Sequence, residues 1–220
     1  MANFKKTIIC LAASRKPGGR CIAGKDSTNT STWIRPVNNG DADSIDNLQS
    51  KYEDGTLAQV LDKIEISFSE KIPKLHQTEN LLITNEKWIK KGTIALTDLK
   101  KLQDKPKSLW SNWNSSYNGR NDRINSLDVQ KIHNSLYLIN IDCTIHVKTE
   151  GKEFNNPHKK VRCSFQYGGT DFKLPVTDPS KEQEYLVKSE GDYSIGAKYI
   201  CVSLGPVYEG NAYLFTAAIL

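Results

Sequence analysis

Between Tyr137 and Val147 every odd-numbered residue is apolar or aromatic, and every even-numbered one except Leu138 is polar. A two-residue period puts alternate side chains on opposite faces of extended chain, so this run can only be stable as a half-buried strand. The pattern recurs. Val161, Cys163, Phe165 and Tyr167 alternate with Arg162, Ser164 and Gln166. Gly168-Gly169 then supplies a turn, and Phe172, Leu174 and Val176 resume the alternation, which predicts a hairpin. Two more strands are expected at Lys198–Leu204 and Ala212–Ile219, joined by a loop from Gly205-Pro206 to Gly210-Asn211. Asp178 and Pro179 read as the N-cap and first residue of a short helix reaching Leu186.

Three strands, a helix and two strands is the order of the five-stranded OB barrel, which often carries a helix between its third and fourth strands. The first half offers strands near Lys6–Ala12, Arg20–Gly24, Thr32–Val37, Val60–Phe68, Leu81–Ile83 and Trp88–Lys90. Its helical pattern is confined to Leu96–Leu102, with Thr97 as cap. Residues 103–128 show no period and are rich in Ser, Asn, Trp and Gly, so they are expected to be an ordered connecting loop. The expected fold is mostly β with minor α: an OB-like five-stranded barrel over 1–102, the connecting loop over 103–128, and a second OB-like barrel over 129–220.

Composition agrees with an ordinary folded chain, at 38% hydrophobic and 25% charged residues. No apolar run approaches the roughly 18 residues that a membrane-spanning helix needs. Ile8–Ala13 after Lys5-Lys6 has the look of a leader, but it runs straight into Ser14-Arg15-Lys16 and reads better as a first strand. Five cysteines, an odd number without a C-x-x-C pair, all sit in strand-like segments, which argues for free buried thiols and a cytoplasmic chain. The net charge is +5; residues 1–110 hold 18 basic and 13 acidic side chains, so the excess lies in the first half. Such a patch draws anionic partners, or is simply a solvated surface.

Four segments are unlike scaffold. Ser14–Gly24 sets Arg15, Lys16 and Arg20 around Gly18-Gly19, a turn whose backbone donors can cradle an anion; a plain hairpin turn explains it equally. Trp33 and Arg35 share one face of a strand, as base stacking plus a phosphate contact requires. Trp33 in the core and Arg35 paired with an Asp of 41–46 is the alternative. His76-Gln77-Thr78-Glu79-Asn80 offers five polar side chains between leucines. These read base edges, or hold structure, or place His76 beside Glu79 as a general acid/base pair; a metal would need further ligands from Asp122 and His133. Ser108–Arg123 interleaves Trp110, Trp113 and Tyr117 with Arg120, Asn121, Asp122 and Arg123. Aromatics among arginines are the chemistry of a single-stranded nucleic-acid site, unless Asp122 holds Arg123 internally. No G-x-S-x-G, Ser/His/Asp order or H-E-x-x-H is present, and neither cofactor nor metal is implied.

Taken in order, these segments, with Val176–Pro179 and Val202–Tyr213, resemble the dual OB-containing domain proteins, an uncharacterised prokaryotic family. The resemblance implies two OB folds and suggests nucleic-acid or nucleotide binding in a prokaryotic defence system. Arg120 stands where the family pattern has an apolar or aromatic residue, so no role is assigned to it. The leading expectation is a binding module for single-stranded nucleic acid or a nucleotide, with no membrane partner. Its contacts would be Arg15, Lys16, Gly18, Gly19, Arg20, Arg35, His76, Gln77, Glu79, Asn80, Trp113, Tyr117, Asn121, Asp122 and Arg123. The alternatives are an enzyme acting on a nucleotide or nucleic-acid end through His76, Glu79 and Asp122, and a protein-interaction or sensor subunit.

Overall fold

The structure is a computed structural model that describes residues 3–40, 44–110 and 114–220. The chain divides into two units. One comprises Met1–Gln103 with His133–Ser135, the other Asp104–Ile132 with Leu136–Leu220.

The first unit holds β1 (Phe4–Lys16), β2 (Gly19–Asp26), β3 (Trp33–Val37), β4 (Asp62–Lys71), β5 (Asn80–Ile83) and β6 (Ile89–Thr93). Their order is β1-β2-β3-β5-β4-β6, and β4 also pairs with β1, which closes five strands into a barrel. All pairings are antiparallel except β3 with β5, where Arg35 meets Asn80. The β1–β2 turn is two residues long: Pro17 pre-sets its own φ, and Gly18 takes φ +77°. Ile8, Ile22, Ile64, Phe68 and Trp88 fill the interior. Helix α1 (Leu99–Leu102) follows a 3-10 turn that starts at Leu96; the expected Thr97 cap is absent, and Ala95 precedes the turn with no side-chain cap.

The second unit contains β7 (Arg123–Asn125), α2 (Ser126–Val129), β8 (Leu136–Glu150), β9 (His158–Tyr167), β10 (Thr170–Pro175), α3 (Pro179–Leu186), β11 (Gly191–Tyr208) and β12 (Asn211–Ile219). The sheet order is β10-β9-β8-β11-β12-β7. A parallel bridge from Val176 to Thr216 joins the end of β10 to β12. This is a curled half-barrel with the strand sequence of the first unit, helix α3 lying between its third and fourth strands. The helix start is as expected: the Asp178 side chain accepts from the Ser180 and Lys181 N–H groups, with Pro179 at the first position. Gly168 and Gly169, at φ +57° and +77°, make the β9–β10 turn.

Two expectations are corrected. Residues 103–128 are not all loop, because Arg123–Asn125 pairs with β12 and Asn125 then caps α2. Three strand residues are too few for a period to show. Nor does a loop open at Gly205: β11 runs through a bulge after Leu204 to Tyr208, and the turn is only Glu209-Gly210, both at positive φ. A bulge breaks the alternation without ending the pairing. The five cysteines are free, four buried and Cys21 half-buried. Among the described residues no helix is long and apolar enough to cross a membrane.

Candidate nucleic-acid interface

In the first unit most of the expected contacts turn inward. The hydrogen a Cβ would replace at Gly19 faces the Ile45 carbonyl oxygen, 2.4 Å from that position, so this glycine is needed for backbone packing. Arg20 exchanges backbone bonds with Ile45 and donates from Nη1 to the Ala58 carbonyl at 2.7 Å. Arg15 is exposed and Lys16 half-buried at the end of β1. Arg35 is 3% exposed. Its Nε and Nη2 donate to Glu79 Oε1 at 3.2 and 3.0 Å, Nη1 to the Cys21 sulfur at 2.8 Å, and Nη2 to Ser135 Oγ at 2.6 Å. Ser135 Oγ also donates to Glu79. Burial pushes the Arg35 guanidinium's pKa down, but Cys21 and Glu79 outweigh it and hold the group above its ordinary range. Arg35 thus ties the basic hairpin to the 76–80 run. His76, Gln77 and Asn80 of that run are buried, and the Asn80 side-chain amide has no hydrogen-bond partner among the described residues. Trp33, under the Lys25 ammonium at 5.3 Å, lines a cleft of about 450 Å³ with Phe4, Lys6, Lys71 and Glu79.

The second unit presents the opposite arrangement: its polar side chains point out. In β8 and β9 the even residues Thr144, His146, Lys148, Lys160, Arg162 and Ser164 leave the core, while Ile145, Val147, Val161 and Cys163 enter it. Register sets them in rows across the sheet. Ser194, Thr144, Ser164, Lys173 and Arg120 form one row, and Asp192, His146 and Arg162 the next. A cleft of about 410 Å³ opens on this face, lined by Arg120, His146, Ser164, Asp171, Lys173 and Ser194 among others. Arg162 donates to both Glu150 oxygens at 2.6 and 2.9 Å, and Arg120 pairs with Asp171 at 3.0 Å. Lys148, Lys160 and Lys173 have no ion pair among the described residues. Partial burial, with Lys148 and Arg162 close by, holds the Lys173 ammonium below the usual lysine range.

Beside this face stands the loop before β7. Asp122, 1% exposed, accepts from the Ser116 N–H at 2.7 Å and from the Ser116 hydroxyl. A Cβ on Gly119 would sit 1.8 Å from Asp122 Oδ2, so any side chain there would have to displace the Asp122 carboxylate. Asn121 donates from Nδ2 to the Asp171 carbonyl at 2.9 Å, and Arg123 from Nε to Asn114 Oδ1 at 2.9 Å. These bonds fix the loop and leave Tyr117 outside, 76% exposed. Its ring meets Phe154, 71% exposed, edge-on with centroids 6.2 Å apart. Phe154 belongs to the β8–β9 connection, which in OB folds flanks the ligand face. Trp113 lies outside the described residues.

The family model for the dual OB-containing domain matches residues 6–219. The chain belongs to that family. No curated protein and no solved structure matches it. Family membership accounts for the repeated strand order of the two units, and OB domains commonly bind nucleic acids or oligosaccharides on the face formed by their second and third strands. In the second unit those strands are β9 and β10. Sequence reasoning placed Tyr117, Asn121, Asp122 and Arg123 in one loop; the structure leaves the Tyr117 ring out and uses Asp122 to hold the loop. It missed Lys148, Lys160, Lys173 and Phe154, and assigned no role to Arg120. The alternation of β8 and β9 already put the first two on the polar face, but only the register put them beside Tyr117's partner. Glu79 is engaged by Arg35 and Ser135 and His76 is 1% exposed, so an acid/base pair of the two would have to open the barrel wall to meet a substrate. Among the described residues no three His, Cys, Asp or Glu side chains are grouped to hold a metal.

Proposed function

We propose that the chain binds single-stranded nucleic acid on the outer face of β8, β9 and β10. Bases stack on Tyr117 and Phe154, and Lys148, Lys160 and Lys173 meet the phosphates. The observation that carries this reading is the pair of large aromatic rings held out in solvent on a unit whose outer sheet face carries three lysines with no ion pair among the described residues. Exposed aromatic surface has no value to an isolated fold, whereas every base has a π-face to lay on it. Three cations along a sheet track a backbone without reading sequence. Double-stranded nucleic acid does not offer unstacked bases to such rings, which favours the single strand. Binding of labelled oligodeoxythymidine and oligouridine, followed by fluorescence anisotropy at several salt concentrations, tests the proposal. Loss of binding in Tyr117→Ala/Phe154→Ala is the expected result; unchanged affinity in that variant, or no binding by the unaltered chain, overturns it.

A further inference from the structure

Three side chains on the same face lie within hydrogen-bond distance in series. His146 Nδ1 lies 2.7 Å from Asp192 Oδ1, and His146 Nε2 lies 2.6 Å from Ser164 Oγ. They come from three strands: Asp192 sits directly across from His146, and Ser164 across from Thr144, one step diagonally from the imidazole. With Asp192 accepting from Nδ1–H, Nε2 is left as the base that takes the hydroxyl proton. The imidazole is mostly enclosed, its side chain 15% exposed, while Ser164 opens onto the cleft. Lys173 faces Ser164 from β10, and Arg120 is next in that row.

We propose that Ser164, His146 and Asp192 form a hydrolytic site for a small carboxylic ester that carries a negative charge. Ser164 Oγ attacks the ester carbonyl carbon as its proton passes to His146 Nε2. The ester C–O bond breaks, and the departing alkoxide takes that proton. Water then gives a proton to Nε2 and attacks the acyl-serine; the carboxylic acid leaves and Ser164 regains its hydrogen. One imidazole serves both steps only when nucleophile and leaving group lie on the same side of the reacting atom. A tetrahedral carbon meets this condition, whereas in-line displacement at a phosphodiester does not, which selects the ester. Ser164 is on a strand paired on both sides, so its backbone N–H is committed to the ladder. The oxyanion's charge therefore falls to the Lys173 ammonium, while Arg120 exchanges its solvent-exposed partner Asp171 for the substrate's own anion. The chain order here is His146, Ser164, Asp192, which no local Ser/His/Asp pattern marks, and the register alone brings them together.

The test is independent of nucleic-acid binding. The full chain is treated with a fluorophosphonate probe, and the adduct is located by peptide mass spectrometry; hydrolysis of 4-nitrophenyl hemisuccinate is followed in parallel. The expected result is one adduct on Ser164 and repeated turnover. Labelling should fall at least about 100-fold in His146→Gln, the loss of a general base, and at least about tenfold in Asp192→Asn. Circular dichroism melts matched to the unaltered chain show that the fold survives. No adduct on Ser164, equal labelling in a folded His146→Gln, or an adduct without ester turnover each overturns the assignment.

Discussion

The salt dependence of binding separates the two halves of the proposed interface. On the outer face of β8–β10 and its flanking loop, Arg162 is bonded to Glu150 and Arg120 is paired with Asp171. Lys148, Lys160 and Lys173, which have no ion pair among the described residues, are the proposed phosphate contacts and displace counterions from a bound strand. At about −0.7 per phosphate neutralised on a single strand, the log–log slope of affinity against salt should be about −2. Lys160→Ala or Lys173→Ala should each make it shallower by about 0.7 and weaken binding most at low salt. Tyr117→Ala should behave differently. Loss of one stacked base costs about 1–3 kcal/mol, a drop of roughly 5- to 150-fold in affinity, with the slope unchanged because no charge is lost. Anisotropy titrations of a labelled oligodeoxythymidine over a series of KCl concentrations measure both quantities at once. A slope near zero for the unaltered chain, or a Tyr117→Ala slope shifted as far as that of Lys173→Ala, would refute the division of labour between rings and lysines.

Other outcomes follow from single groups. Glu79→Ala leaves the Arg35 guanidinium buried with two donors unmet, so urea unfolding followed through Trp33 and Trp88 should show a loss of about 3–5 kcal/mol. Arg35→Met/Glu79→Leu, which removes both charges, should recover most of it. Burial raises the Glu150 carboxyl, but its bonds from Arg162 outweigh this and hold it below the usual range. A depressed carboxyl stabilises the fold above its unfolded pKa and loses that contribution as pH falls through the folded value. Unfolding measured between neutral pH and the acid side of the carboxylate range should therefore show a steeper acid loss than in Glu150→Gln; identical curves would contradict the pairing. Burial pushes the Cys10 thiol up to about 12, so iodoacetamide at mildly alkaline pH should spare Cys10 until the first unit unfolds. Modification of Cys10 in the native chain at the rate of a free thiol would show that the barrel interior opens.

The local elements were legible from chemistry that acts over a few residues. Alternation found β8, β9 and β10, the paired glycines found their hairpin, and Asp178-Pro179 found the start of α3. The 123–125 strand and the extension of β11 to Tyr208 were not legible, since one is too short to show a period and the other is interrupted by a bulge.

The same divide runs through the site. Tyr117 drew notice as an aromatic among amides and arginines, whereas Arg35 and Glu79 read as ligand contacts when they are each other's partners, 44 residues apart and buried together. Which polar groups meet is decided by strand register, because pairing places residues from distant stretches within hydrogen-bond reach, and no local pattern encodes that distance. So the amino-acid order by itself determined that this chain makes two small β-units with a polar, basic and aromatic chemistry. Tertiary pairing alone decided which of those side chains are locked inside the first unit and which stand open on the second, since burial consumes a polar group's bonds and exposure leaves them for a ligand.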